Sequence, residues 1–163
     1  MIRTSLPVAS TWYFLDQVSK WWIIEVVMKP PKIIEITSFF NIVLGWNTGV
    51  SFGFLTSLGL PPWVLALFSV SVAFVLLAWL GRTSSTPSLV ALGLIVGGAL
   101  ANATDRVRQG AVTDFLDFHI GKWHWPAFNM ADTGIVCGTA LLIVHALVTR
   151  ADDNIPGKPG RQQ

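Results

Sequence analysis

A chain of 163 residues in which 52% are hydrophobic and 12% charged carries about half the charge of an ordinary soluble domain. Its net charge of +2, with basic residues scattered rather than gathered into a stripe, excludes a nucleic-acid partner, and a single cysteine excludes an internal disulfide. The mean hydropathy of +0.58 is that of a membrane protein.

Apolar stretches near the length needed to cross a bilayer fall at 6–28, 61–80, 89–104 and 130–148. The first is interrupted by Asp16, Lys20 and Glu25. Asp16 and Lys20 lie four residues apart, so on a helix they stack on one face and neutralise one another. The same charges break the uninterrupted apolar core of a cleavable signal peptide, so 6–28 is expected to be a retained span.

In the connection 29–60, residues 33–44 are rich in Ile, Val and Phe and run into a Gly/Asn cluster at 45–49, the pattern of a strand or hairpin. It is expected at the membrane interface, with Trp46, Trp123 and Trp125 as anchors. Gly49-Val50-Ser51-Phe52-Gly53 matches G-x-S-x-G, which matters only on a strand-turn-helix elbow with a base in reach. The candidate base His145 lies fifteen residues beyond Met130, some 22 Å along a helix at about 1.5 Å per residue, so the match is read as accidental.

The second span, 61–80, is the cleanest. In the third, Gly93, Gly97 and Ala101 recur every four residues and leave a smooth face for close helix approach. It ends in Asn102 and then Asp105-Arg106, polar groups that cap a helix or brace a site. The last span carries Asp132, His145 and Cys137, the cysteine being read as a small buried hydrophobe. From Ala151 the Pro, Gly and mixed charge indicate a disordered end. The absence of an internal repeat argues against an inverted-repeat transporter. The expected fold is membrane all-α, four transmembrane helices with a small β element, one domain over 1–150. Both termini share one side, with the connections 29–60 and 105–128 on the other. Lys and Arg divide evenly between the two sides and leave the orientation open.

Chemistry points to two acids, Asp132 at the start of the last span and Asp114 in the aromatic-rich connection before it. A carboxylate placed against hydrocarbon costs several kcal/mol, so such residues face an interior or a water-filled cavity and mark function. Zinc peptidases need a ligand pair such as H-E-x-x-H, and His119, His124 and His145 do not supply one, so neither metal nor other cofactor is expected. Two carboxylates crowded in a poorly solvated site share one proton. One then acts as base on water and the other as acid toward the scissile amide, with the proton assignable to neither alone. Asp117, three residues on, is the rival partner. The bland alternatives are a helix N-cap for Asp132 and a loop ion pair for Asp114. Two other classes stay open: a small proton-coupled transporter or channel subunit with the acids as a relay, and a non-catalytic scaffold.

Several blocks occur together and in order. They are Asp16-Gln17 with Lys20; Phe40-Asn41-Ile42-Val43; Trp46-Asn47-Thr48-Gly49-Val50-Ser51-Phe52; Gly97-Gly98-Ala99-Leu100-Ala101-Asn102 running into Asp105-Arg106; Val112-Thr113-Asp114-Phe115; and Trp125-Pro126-Ala127-Phe128-Asn129-Met130-Ala131-Asp132. Together they resemble the signature of bacterial lipoprotein signal peptidases, the type II signal peptidases, over about 16–148. The resemblance implies an aspartic endopeptidase of the bacterial cytoplasmic (inner) membrane. It further implies four spans, cytoplasmic termini with a cytoplasmic tail at 151–163, and a site near the extracytoplasmic face where the β element lies. The implied substrates are prolipoproteins already bearing diacylglyceryl, cut N-terminal to the lipidated Cys, and the implied inhibitors are globomycin-like. Asp114 and Asp132 map onto the catalytic dyad; Asn47, Gly49, Asn102, Asp105, Arg106, Asn129, Asp16 and Lys20 fall on positions that line or support the site. Arg106 either offsets the acids or grips a phosphate-like surface. Ala101 stands where the family usually has Gly, and Ala103-Thr104 replace bulkier residues, which bears on packing. Partners are the substrate and membrane lipid, the working unit is expected to be a monomer, and the interfacial strand with the 121–125 loop is expected to act as cradle and lid.

Overall fold

The computed structural model describes residues 2–49, 61–80 and 85–153. These form α1 (Ile2–Trp22), β1 (Ile34–Thr37), β2 (Phe40–Asn47), α2 (Pro62–Leu80), α3 (Thr86–Gln109), β3 (Val112–Ile120), β4 (Trp123–His124) and α4 (Met130–Asp153). The result is a membrane-type helical protein with a small antiparallel sheet. Three of the helices are long and apolar enough to cross a bilayer, over Pro62–Trp79, Thr86–Gln109 and Met130–Arg150.

Helix α3 is the axis on which α1, α2 and α4 pack. Two-thirds of its spanning window (67%) is buried, against 17% for α2 and for α4, so those two present most of their apolar surface outward. The small-residue stripe makes this possible. A Cβ on Gly97 would lie 2.5 Å from the Ala9 carbonyl oxygen of α1, and one on Gly98 would lie 2.4 Å from the Ala131 carbonyl oxygen of α4. Dispersion over such close backbones holds helices together where burial from water cannot. The expected packing role of Gly93 and Gly97 is thus met on the α1 side, and Ala101 is fully buried on α3.

The third helix extends well past 104 and takes Asp105 and Arg106 with it, so they belong to α3 and not to the following connection. Polar residues do not end this helix because Asp105 and Arg106 find partners inside the protein, in Lys20 and the Gly49 carbonyl. It stops instead at Gly110, whose φ of 76° and N–H bond to the Arg106 carbonyl (3.1 Å) form a left-handed cap. Helix α4 likewise continues past 148 to Asp153, so the first residues assigned to a disordered tail are helical. Cys137 is exposed on α4, not buried, because that face of α4 is not covered by the described residues. Ser51 lies outside the described residues.

The sheet has the order β1-β2-β3-β4, antiparallel throughout. The hairpin expected in 33–44 is present as β1 and β2, and its second strand continues to Asn47. The connection after α3, read as a loop, supplies β3 and β4. At the end of α1 a π-helical turn, Ile23–Val27, delivers Ile23 and Met28 into a cluster with Phe115 of β3. The sheet is thereby fastened to the end of the bundle where α1 and α3 finish and α4 begins.

Candidate active site

Asp114 sits on β3 directly opposite Gly45 of β2. A register shift in β2 between Ile42 and Gly45 brings Asn47 onto the same face, and its side-chain amide donates to Asp114 Oδ2 at 2.9 Å. The other end of the Asn47 side chain accepts the Gly49 N–H (3.0 Å), a turn built by an Asn oxygen bonding two residues on. Arg106 then ties this turn to α3: Nη2 donates to the Gly49 carbonyl at 2.9 Å and Nη1 to the Asn102 carbonyl at 3.4 Å. The guanidinium is therefore a brace for the strand end that holds Asp114.

Asp132 lies in the first turn of α4, but the N-cap is Asn129. The Asn129 side-chain oxygen accepts the Asp132 N–H (3.0 Å), and Asp132 Oδ2 accepts the Asn129 N–H (3.3 Å). This reciprocal pair is a capping box, with Asp132 three residues after the cap. The Asn129 amide nitrogen, left over from capping, donates to Asp114 Oδ1 at 2.7 Å and to Asn102 Oδ1 at 3.3 Å. The fully buried Asn129 therefore meets the Asp114 carboxylate with its side chain and the Asp132 carboxylate with its backbone N–H. Asn102 completes the bridge by donating to Asp132 Oδ1 at 2.8 Å.

Behind this layer Lys20 Nζ is enclosed by three acceptors: Asp16 Oδ2 and Asp105 Oδ2, each at 2.7 Å, and Asn102 Oδ1 at 2.9 Å. An ammonium has three donors, and all three are used. The expected Asp16–Lys20 pair is present, joined by Asp105, and the free oxygen of Asp16 accepts the Ala131 N–H at 2.7 Å. This anchors the start of α4 to α1. Two cations, Lys20 and Arg106, thus lie among four carboxylates in one buried cluster.

Burial is the largest influence on Asp114 and raises it; the Asp132 charge raises it further, while hydrogen bonds from Asn47 and Asn129 and the charge of Lys20 pull it down. The outcome is a carboxyl pushed up to about 6. Neutral amides hold the group without fully stabilising its charge, as an acid–base role near neutrality requires.

Asp117 does not join this cluster. Three residues along a strand place it on the opposite face, where Asn41 donates to Oδ2 at 3.0 Å and His124 Nδ1 lies 2.9 Å from Oδ1. The other anticipated residues converge: Asn47, Gly49, Asn102, Arg106, Asn129 and Lys20 each contact one of the two acids or a direct partner of one, and Asp16 and Asp105 join them through Lys20. Gln17 belongs with them, since its amide donates to Asp105 Oδ1 at 2.8 Å. Thr113 does too, its N–H reaching Asp105 Oδ2 at 3.4 Å. The spacing of Tyr13, Gln17 and Lys20 marks a polar stripe at helical period, a signal that points Gln17 toward α3.

Two acids, linked through Asn129 and Asn102, lie at the end of an apolar helical bundle, three of whose helices are long enough to cross a membrane. The chain belongs to the signal peptidase II family: the family described as Signal peptidase (SPase) II matches residues 8–148. A lipoprotein signal peptidase of Rhizorhabdus wittichii is 42% identical over 146 residues, spanning 88% of this chain and 85% of the relative. One of Coxiella burnetii is 44% identical over 138 residues, spanning 83% and 84%. A bacterial membrane enzyme solved by the in meso method at 2.3 Å resolution aligns with a TM-score of 0.83 at 28% identity, covering 98% of this chain and 96% of its own. Another, at 1.9 Å, aligns with a TM-score of 0.74 at 29% identity, covering 90% and 94%. The chain is accordingly an aspartic-type signal peptidase.

Proposed function

We propose that the chain removes signal peptides from prolipoproteins already carrying diacylglyceryl, cutting N-terminal to the lipidated Cys, with Asp114 and Asp132 as the catalytic pair. The observation that carries this reading is the Asn129 side chain, which donates to Asp114 and caps the helix turn that presents Asp132. One carboxylate takes a proton from water as the oxygen attacks the scissile carbonyl carbon. The partner carboxylic acid donates a hydrogen bond to the carbonyl oxygen, and the leaving nitrogen is protonated as the C–N bond breaks. A single proton shared by the pair serves both roles, and its titration belongs to the pair. No cofactor enters these steps.

The proposed setting is the bacterial cytoplasmic membrane, with 1–150 as one domain and α1 as a fourth span. At 21 residues α1 is about 31 Å long at roughly 1.5 Å per residue, enough to cross. Its ionic pair is turned inward, and Phe14, Leu15 and Val18 are exposed. Both termini then lie in the cytoplasm and the sheet rests on the outer face, with exposed Trp46, Trp123 and Trp125 at headgroup level. Diacylglyceryl partitions into the bilayer and brings the scissile bond to the helix ends. Globomycin-like peptides would compete there, and a monomer suffices because one chain supplies both acids.

The test is cleavage of a lipid-modified precursor by the purified chain. Asp114→Asn and Asp132→Asn should each abolish turnover, while Ser51→Ala and a chelator leave it intact. Proton flux in vesicles without precursor cleavage would favour the relay reading instead.

A further inference from the structure

We propose that the groove between α1 and α2 is a resident binding site for an anionic membrane phospholipid, whose acyl chain lies along α3 and whose phosphate meets Arg108. Helices α1 and α2 each pack on α3 and scarcely touch one another, which leaves a channel floored by α3. Its two stretches, of about 280 Å³ and 370 Å³, share Tyr13 and Leu100 and run from Val96 to Arg108.

Three features select the occupant. The first is polarity: the walls are mainly Phe14, Leu77, Val70 and Val107, with Ser10 a small hydroxyl on the α1 side, and the Tyr13 hydroxyl is already joined to Thr104 Oγ1 at 3.2 Å, so most of the lining asks for no hydrogen bond. The second is length. Twelve residues of α3 span about 18 Å at roughly 1.5 Å per residue, close to one leaflet of a hydrocarbon layer about 30 Å thick. The third is charge. Arg108 closes the headgroup end, is exposed, and makes no hydrogen bond or ion pair among the described residues. The nearby acids do not claim it, because Glu25 pairs with Lys29 and Asp105 with Lys20. A guanidinium with unused parallel donors suits a phosphate, whereas the thioether-linked diacylglyceryl of a substrate offers none. The proposal rests on α1 lying in the bilayer beside α2, and is independent of the peptidase chemistry.

The experiment releases the full-length chain from nanodiscs of equal phosphatidylglycerol and phosphatidylcholine into mild detergent and counts retained lipid by native mass spectrometry, with precursor cleavage scored separately. The wild type should keep phosphatidylglycerol in preference. Arg108→Glu should lose it about fivefold, the weight of a basic side chain at a membrane surface, Arg108→Lys should keep most of it, and Leu100→Trp should empty the groove of both lipids. Equal retention of the two lipids by the wild type, or full retention by Arg108→Glu, overturns the proposal. So does displacement of the lipid by the precursor together with a raised KM in Leu100→Trp, since the groove would then serve the substrate.

Discussion

Asp114 and Asp117 stand three residues apart on one strand, both buried, both accepting a hydrogen bond from an Asn of β2, and their acidities move in opposite directions. Asp114 is pushed up to about 6 by burial and by Asp132. Burial pulls Asp117 upward as well, but hydrogen bonds from His124 and Asn41 and the charge of His124 outweigh it and hold the carboxyl below its ordinary value. Strand alternation sends one side chain to a second carboxylate and the other to an imidazole at the sheet edge. Neighbours, rather than depth alone, decide which carboxyl is raised and which is lowered.

The strongest way to break that contrast is to neutralise each acid in turn. Asp114→Asn and Asp132→Asn should each lower the turnover of a lipid-modified precursor by at least about 10³-fold, the scale seen when one member of a catalytic unit is removed. Asp117→Asn should leave the chemical step unchanged. If single-turnover rates fall equally in Asp114→Asn and Asp117→Asn, the assignment of roles is wrong.

Removing the cation behind each acid sharpens the comparison. Lys20→Met leaves Asp16 and Asp105 buried without a counter-charge and should destabilise the fold by about 3–5 kcal/mol in thermal unfolding of the detergent-solubilised chain. His124 is half-exposed, so His124→Gln should cost less than about 1 kcal/mol. Comparable losses would mean that the Lys20 cluster is no more buried in solution than the sheet edge.

The helical part of this architecture was legible because apolar runs and the Gly93/Gly97 spacing are local signals. The acids were legible as anomalies within such runs. What the sequence concealed is what depends on long-range pairing. Asp105 and Arg106 read as a helix end because polar residues usually mark one, whereas here Lys20 and the Gly49 carbonyl, far away in the chain, satisfy them within α3. Strand β3 read as a loop since its alternation is masked: Thr113 and Asp117 are buried polar residues whose partners lie on other elements. The N-cap of α4 was displaced by three residues, from Asp132 to Asn129, because Asp and Asn are equally good caps and the capping box uses both. Cys137 looked buried because an apolar helix face gives the same pattern whether it meets protein or lipid.

Geometry between α3 and α4 offers a smaller perturbation that acts on one acid alone. Gly98→Ala places a methyl against the Ala131 carbonyl, one residue before Asp132, and should cost about 1–3 kcal/mol of stability. The shift moves Asp132 away from Asn102 while β3 stays in register, so kcat should fall with KM nearly constant. A rise in KM with kcat intact would show instead that α4 moves without disturbing the pair.

The smallest effect concerns pH and separates the two acids by sign. Because the folded-state value of Asp114 is raised, its contribution to stability is present at low pH and is lost as pH rises through about 6. Asp117 is lowered, so its contribution is present above the ordinary carboxylate range and is lost as pH falls through the folded-state value. Melting curves of the wild type and Asp117→Asn should therefore differ at neutral pH, start to converge as pH falls below about 4, near the ordinary aspartate value, and meet below the lowered folded-state value. Asp114→Asn should run the other way: its neutral amide mimics the protonated acid, so it should gain stability relative to the wild type as pH rises from about 4 to about 6 and level off above. Parallel pH dependence in the two variants would erase the distinction between the faces of β3, since the two carboxyls would then be sensing the same surroundings.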